Sequence, residues 1–177
     1  MIAYKAITER IKNNNGLVLA LNALDKAITY ITIIFYICDL LYLAFSETGR
    51  DYTLLYRSIL IPGVSFIIVS LFRKVISAPR PYEVYAFVPV LNKDTKGKSF
   101  PSRHVFSIFM VGITIMQTSM IISAIILVLA VVLAIIRVIG GVHFIKDVVA
   151  GAAIAIIISG ICYGILCGVF GLVMLPF

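Results

Sequence analysis

Residues 119–138 read Ser-Met-Ile-Ile-Ser-Ala-Ile-Ile-Leu-Val-Leu-Ala-Val-Val-Leu-Ala-Ile-Ile-Arg-Val, an apolar run with a single charge near its end. A helix needs about 20 apolar residues to cross the roughly 30 Å hydrocarbon core of a bilayer. The rest of the chain has a similar character, because 62% of its 177 residues are hydrophobic and 13% are charged. A soluble domain carries about twice that charged fraction. The sequence therefore predicts an all-α integral membrane protein.

Working outward from this run, we predict a bundle of about five transmembrane helices in a single domain over residues 1–177. The expected spans are 26–45, 54–72, 103–118, 119–138 and 148–172. Charged and apolar residues interleave in the N-terminal part of segment 1–24, which is typical of an amphipathic helix lying in the membrane interface. The apolar patch 17–24 is too short to cross the membrane by itself.

The net charge of +7 comes from cations that cluster at one end of the predicted bundle. They form no solvated stripe with interleaved aromatic residues, so we expect no nucleic-acid partner. An anionic substrate or lipid headgroup fits better, with the lipid bilayer as the surroundings. Four glycines at helical spacing near the C-terminus either permit close helix packing or mark the face of a homodimer, namely Gly160, Gly164, Gly168 and Gly171.

Counting spans places two polar connections on the same face. The second span leads into the long connection 73–102, and the third and fourth spans cross and return to the connection 139–147. The two histidines of the chain, His104 and His143, therefore lie at one end of the bundle together with Asp147.

The spacing of His143 and Asp147 favours an oriented histidine. They are four residues apart, so they are neighbours if the last helix begins near His143. A carboxylate that accepts a hydrogen bond from one imidazole nitrogen leaves the other nitrogen free to attack. The alternative is that Asp147 only stabilises a helix N-terminus.

His104 lies in the first turn of the third span, just after Ser102, a candidate N-cap. Alone, such a histidine is more often a capping or interface residue than a catalyst. Free N–H groups at a helix start also bind phosphate oxygens. Two histidines and one aspartate are a possible metal triad. Against that, Arg80, Arg103 and Arg137 would repel a divalent cation, so we expect no metal or cofactor.

These residues resemble the type-2 phosphatidic acid phosphatase superfamily, which includes bacterial undecaprenyl-diphosphate and phosphatidylglycerophosphate phosphatases. The family pattern is Lys, six residues, Arg-Pro; then Pro-Ser-Gly-His; then Ser-Arg, five residues, His, three residues, Asp. The corresponding stretch of this chain is 73–147, with the matches Arg80-Pro81, Pro101-Ser102-Arg103-His104 and Arg137, His143, Asp147. Three positions depart from the pattern: Arg73 with adjacent Lys74 replaces the lysine, Arg103 the glycine and Ile136 the serine.

The resemblance implies metal-independent hydrolysis of a phosphomonoester or diphosphate on a membrane lipid through a phosphohistidine. His143 would be the nucleophile, Asp147 would orient it and His104 would carry the proton. The implied phosphate-binding residues are Arg80, Ser102, Arg103 through its backbone, Arg137, and Arg73 or Lys74. Undecaprenyl diphosphate, phosphatidylglycerophosphate and phosphatidic acid are all candidate substrates. A lipid phosphotransferase and a non-catalytic lipid- or anion-binding membrane protein are the alternatives.

The membrane orientation is predicted differently by two arguments. Most lysines and arginines lie on the catalytic side, with Arg50 and Arg57 opposite, which by the positive-inside rule places the site in the cytoplasm. The resemblance implies an extracytoplasmic site in a multi-pass protein of the cell membrane, and we adopt that side as the expectation.

Overall fold

The computed structural model describes residues 2–47, 51–92 and 95–165, and these form helices joined by loops, without strands. A π-helical segment, Gly160–Ile165, continues the last helix. The α-helices in chain order are α1 (Ile2–Lys12), α2 (Asn15–Phe45), α3 (Tyr52–Ile76), α4 (Pro81–Val84), α5 (Arg103–Ile115), α6 (Met120–Ile139) and α7 (Ile145–Ser159).

Four helical stretches of the described chain are long and apolar enough to cross a membrane: Asn15–Phe45, Tyr52–Val84, Met120–Ile139 and Ile145–Gly164. Helix α5 is also apolar but has 13 residues, which at 1.5 Å per residue gives about 20 Å. The all-α integral membrane fold is thus confirmed. The predicted end of the fifth span, 166–172, lies outside the described residues, as do Gly168 and Gly171.

The predicted separation of segment 1–24 from the first span at 26–45 is wrong. Helix α1 ends at Lys12, and α2 begins at Asn15, where the side chain of Asn14 accepts a hydrogen bond from Leu17 N at 3.2 Å. Helix α2 then runs for 31 residues through the patch 17–24 and into the first span. No glycine or proline follows Gly16 before the end of this helix, so nothing separates the patch from the span.

The connection 73–102 also begins later than predicted. Helix α3 continues to Ile76, so Arg73 and Lys74 lie in its last turn and project from a rigid element. The chain leaves the helix at Ser77, which has a left-handed φ of 45°. The loop from residue 77 onward carries α4 and leads to α5.

Helix α5 lies at the centre of the bundle, in contact with α2, α3, α6 and α7. Its closest approach to α7 is at Gly151, where a Cβ would lie 2.6 Å from the carbonyl oxygen of Ser102. The two polar connections meet at one end of the bundle, because Val90 N donates to Gly140 O at 3.0 Å. The prediction that both connections lie on one face is therefore confirmed.

Candidate active site

His143 and Asp147 form a buried pair at the start of α7. Both side chains are 1% exposed, and His143 Nδ1 lies 3.5 Å from Asp147 Oδ2, at the long end for a hydrogen bond. Phe144 N donates to the same oxygen at 3.0 Å, which anchors the carboxylate in the first turn of the helix. The pairing predicted from the four-residue spacing is thus present in the structure.

Ser99 completes this arrangement and was missed by sequence reasoning. Its hydroxyl donates to Asp147 Oδ2 at 2.5 Å and lies 3.5 Å from His143 Nδ1. The hydroxyl is in a loop 48 residues from Asp147 along the chain, so no local spacing pointed to it. Three groups therefore converge on one carboxylate oxygen, which holds the aspartate against the histidine.

His143 is neutral at neutral pH. The pKa of its imidazole is lowered from 6.5 to about 4, mainly by burial and also by the nearby charges of Arg80 and Arg137, while the hydrogen bond to Asp147 opposes this shift. A carboxylate facing Nδ1 favours the tautomer with the proton on that nitrogen. Nε2 then carries a free lone pair, as a nucleophile requires.

The start of α5 is attached directly to the His143–Asp147 pair. Ser102 N donates to the carbonyl oxygen of Asp147 at 2.8 Å. Ser102 occupies the N-cap position, but its hydroxyl does not cap the helix, contrary to the sequence-based suggestion. The residue is fully buried, and its Oγ has no hydrogen-bond partner among the described residues. A buried hydroxyl without a partner is costly, and the phosphate contact expected of Ser102 stays a prediction.

Arg73 and Arg80 are buried and bind the backbone of the surrounding loops. Arg73 Nη2 donates to the carbonyl oxygen of Lys98. Arg80 Nε donates to Gly97 O at 3.0 Å, and its Nη1 donates to Val142 O at 3.3 Å. Each guanidinium thus holds a loop in place and retains further N–H donors for a ligand.

Glu83 is a second residue that sequence reasoning missed. Its carboxylate accepts hydrogen bonds from Arg80 N at 2.8 Å and from Gly97 N at 2.9 Å. The loop around Gly97 is therefore tied to the start of α4. Glu83 therefore holds Arg80 close to the loop that carries Lys96 and Lys98, despite the like charge of these side chains.

Arg137 is buried and forms an ion pair with Asp25. Its Nη2 contacts Asp25 Oδ2 at 3.0 Å, and its Nε contacts Asp25 Oδ1 at 2.8 Å, which joins α6 to α2. Its carbonyl oxygen accepts from Val142 N and His143 N, both at 3.2 Å. Asp25 also escaped the sequence reasoning, since it is 112 residues away in the chain. The direct phosphate contact expected of Arg137 stays a prediction.

These elements enclose a cavity of about 390 Å³. Six of its ten lining residues are cationic, which suits a multiply charged anion. His104 and His143 both line it, so the structure brings the two histidines to one space; Ser102, Arg137 and Asp147 are not part of the wall. The lining residues are Ser70, Arg73, Lys74, Arg80, Thr95, Lys96, Lys98, Arg103, His104 and His143.

Together, the apolar helices and the cavity lined by two histidines and six cationic side chains define a membrane protein with a cationic site at one end of its bundle. A sequence profile of the PAP2 superfamily matches residues 52–168. The chain therefore belongs to the PAP2 superfamily, and this membership supports a phosphatase. No curated protein sequence matches the chain.

Two solved structures share the fold. One is the crystal structure of Aquifex aeolicus LpxE, with 20% identity, a TM-score of 0.66, and 92% of this chain and 93% of that chain covered. The other is the crystal structure of a transmembrane PAP2 type phosphatidylglycerolphosphate phosphatase from Bacillus subtilis, with 18% identity and a TM-score of 0.59. The match to the latter covers 99% of this chain and 96% of that one.

Proposed function

We propose that the protein hydrolyses a phosphomonoester or diphosphate on a membrane lipid, with His143 as the nucleophile and without a metal ion. One observation carries this proposal: His143 is held by a buried carboxylate yet lines a cavity that also holds His104 and six cationic side chains. An oriented neutral imidazole beside a cationic cavity is suited to attack phosphorus.

In the first step, His143 Nε2 attacks the terminal phosphorus of the lipid. The N–P bond forms while the bond between phosphorus and the leaving oxygen breaks. His104 gives its proton to that oxygen, and the lipid alcohol or lipid phosphate departs. Asp147 stabilises the positive charge that develops on the imidazole of His143.

In the second step, water attacks the phosphohistidine. His104, now neutral, takes a proton from the water, the N–P bond breaks, and inorganic phosphate is released. His143 returns to its neutral form and His104 to its protonated form. A general acid and base of this kind contributes about 100- to 10,000-fold to the rate.

The negative charge of the transferring phosphoryl group is met by Arg73, Arg80 and Lys74 from the cavity wall. We assign the family lysine position to Arg73, because it is buried with Arg80 at the site while Lys74 is exposed. The Ser102 hydroxyl and the backbone N–H of Arg103 bind further oxygens at the start of α5. Arg137 acts in this scheme through the His143 loop that its carbonyl oxygen binds.

A membrane lipid is the substrate because its tail stays in the bilayer while its phosphate reaches the cavity at the end of the helices. The structural neighbour from Bacillus subtilis is a phosphatidylglycerolphosphate phosphatase, which supports a phospholipid phosphate. We further propose that the cavity faces the extracytoplasmic side of the cell membrane. Labelling of a Lys96→Cys variant in intact cells, in a background without the native cysteines, tests this orientation.

The proposed reaction is tested by measuring phosphate release from undecaprenyl diphosphate, phosphatidylglycerophosphate and phosphatidic acid, with and without EDTA. We expect release from at least one lipid, insensitive to EDTA and abolished in His143→Ala. Near-normal release by His143→Ala would show that the nucleophile is another group. Transfer of the phosphoryl group to an added alcohol without free phosphate would instead identify a phosphotransferase.

A further inference from the structure

Two cavities of different character meet at Arg103 and His104. The polar cavity of the candidate site lies on one side of these residues. On the other side is a cavity of about 410 Å³ between α2, α3 and α5, with an almost entirely apolar lining that includes Ile33, Phe66 and Met110. Arg103 and His104 belong to the walls of both cavities. They therefore mark the boundary between a space for phosphate and a space for hydrocarbon.

The guanidinium of Arg103 differs from those of the other arginines at the site. Arg73, Arg80 and Arg137 each donate to a carbonyl or carboxylate oxygen. The guanidinium of Arg103 makes no hydrogen bond or ion pair with any described residue. Its Cζ instead lies 5.2 Å from the centroid of the Phe66 ring. Stacking of this kind fixes the plane of a guanidinium while its N–H donors stay available.

Arg103 also lacks electrostatic compensation. The charge of Arg103 repels that of Arg73 across the polar cavity. The side chain is half-buried, and among the described residues its guanidinium has neither a counter-charge in an ion pair nor a hydrogen bond. A second anionic group at the cavity boundary would supply both.

The proposed reaction puts the leaving group at this boundary. The attacked phosphorus lies in the polar cavity next to His143, and His104 protonates the leaving oxygen. The part of the bound lipid beyond the leaving oxygen therefore lies next to Arg103, and the tail continues from there into the apolar cavity. If the lipid carried one phosphate, Arg103 would face an uncharged alcohol or ester. If the lipid carried two phosphates, the second phosphate would lie beside the N–H donors of the Arg103 guanidinium.

We propose that Arg103 is a specificity-determining residue that binds a second phosphate on the leaving-group side of the cleaved bond. This inference rests on the proposed function and assigns its substrate class as a lipid with two phosphates. The second phosphate is either bonded directly to the first, as in a lipid diphosphate, or separated from it by glycerol, as in phosphatidylglycerophosphate. The terminal P–O bond breaks in both cases, and the leaving oxygen takes the proton of His104.

The test compares kcat/KM for the purified full chain in one detergent with three lipids: undecaprenyl diphosphate, phosphatidylglycerophosphate and phosphatidic acid. For Arg103→Ala we expect kcat/KM to fall at least ten-fold more with a two-phosphate lipid than with phosphatidic acid. A selective loss with undecaprenyl diphosphate identifies a directly bonded second phosphate, and a selective loss with phosphatidylglycerophosphate identifies a separated one. Equal losses with all three lipids, or no loss, overturn the proposal.

Two further variants keep the test informative if Arg103→Ala unfolds. Phe66→Leu keeps the apolar wall but removes the ring that stacks on the guanidinium. We therefore expect the same selective fall of kcat/KM with a two-phosphate lipid, by a smaller factor. Arg10→Ala removes an exposed arginine of α1 that lines neither cavity, and it serves as the matched control. Failure of the proposed function looks different, because the wild-type protein would then release phosphate from none of the lipids.

Discussion

The hydroxyl of Ser99 donates a 2.5 Å hydrogen bond to Oδ2 of Asp147, the oxygen that also faces Nδ1 of His143. The loop between α4 and α5 thereby supports a histidine that belongs to the start of α7. The orientation of the proposed nucleophile thus depends on a contact between two distant parts of the chain.

Removal of this hydroxyl tests its role. In Ser99→Ala we expect kcat to fall about ten-fold or more, since a hydrogen bond to a charged group is worth about 1.5–3 kcal/mol. KM should change little, because Ser99 is not part of the cavity wall. The control is Ser123→Ala, which removes a fully buried hydroxyl of α6 that has no hydrogen-bond partner in the described part of the chain. Equal kinetics for both variants would refute a positioning role for Ser99.

The ion pair between Asp25 and Arg137 is expected to support the fold beneath the site. Their side chains are 17% and 3% exposed, so Asp25→Asn leaves a nearly buried guanidinium without its counter-charge. We expect a loss of stability of about 3 kcal/mol. The double variant Asp25→Asn/Arg137→Met should be more stable than Asp25→Asn alone. Additive losses in thermal unfolding would mean that the two side chains act independently.

Gly151 is expected to set the position of α7 against α5. A methyl group in Gly151→Ala would lie 2.6 Å from the carbonyl oxygen of Ser102, so the two helices must separate. We expect destabilisation of about 1–3 kcal/mol. A shift of about 1 Å at reacting groups costs about 100-fold in rate, so phosphate release should fall as well. Gly160→Ala is the matched control, since no other element among the described residues has an atom within 4 Å of the added methyl. Similar behaviour of the two variants would contradict this packing account.

The pKa of His143 predicts a pH dependence of stability. The folded protein holds the imidazole with a pKa of about 4, while the unfolded chain has the ordinary value of 6.5. The unfolded state therefore binds more protons between these values, and stability falls as the pH is lowered from 6.5 to 4. The loss attributable to this group is about 3 kcal/mol. His143→Asn should flatten the decline in thermal unfolding midpoints over this range, and an unchanged slope would contradict the assignment.

Much of the fold could be predicted because hydrocarbon thickness sets the length of an apolar helix. The run at 119–138 corresponds closely to α6, which spans Met120–Ile139. The beginning of α2 could not be predicted in the same way. The residues after Gly16 do not break a helix, and a helix is free to continue beyond the bilayer.

The candidate site was predictable where its contacts are local. His143 and Asp147 are one helical turn apart, so their spacing indicated the pair. Ser99 and Asp25 reach their partners through tertiary packing, and nothing in their neighbours along the chain distinguishes them from other polar residues. Glu83 has a local partner in Arg80 N, but its hydrogen bond to Gly97 N also depends on the fold of the loop. The side-chain direction of Arg137 depends on Asp25 for the same reason.

The most direct test of the central claim is to trap the intermediate on His143. Wild-type protein is mixed with substrate lipid, stopped with alkaline denaturant within one turnover, and digested for mass spectrometry. We predict one phosphoryl group on the peptide that contains His143, with none in His143→Asn. A phosphoryl group on another residue, or release of phosphate by His143→Asn at the wild-type rate in a single turnover, would contradict the account.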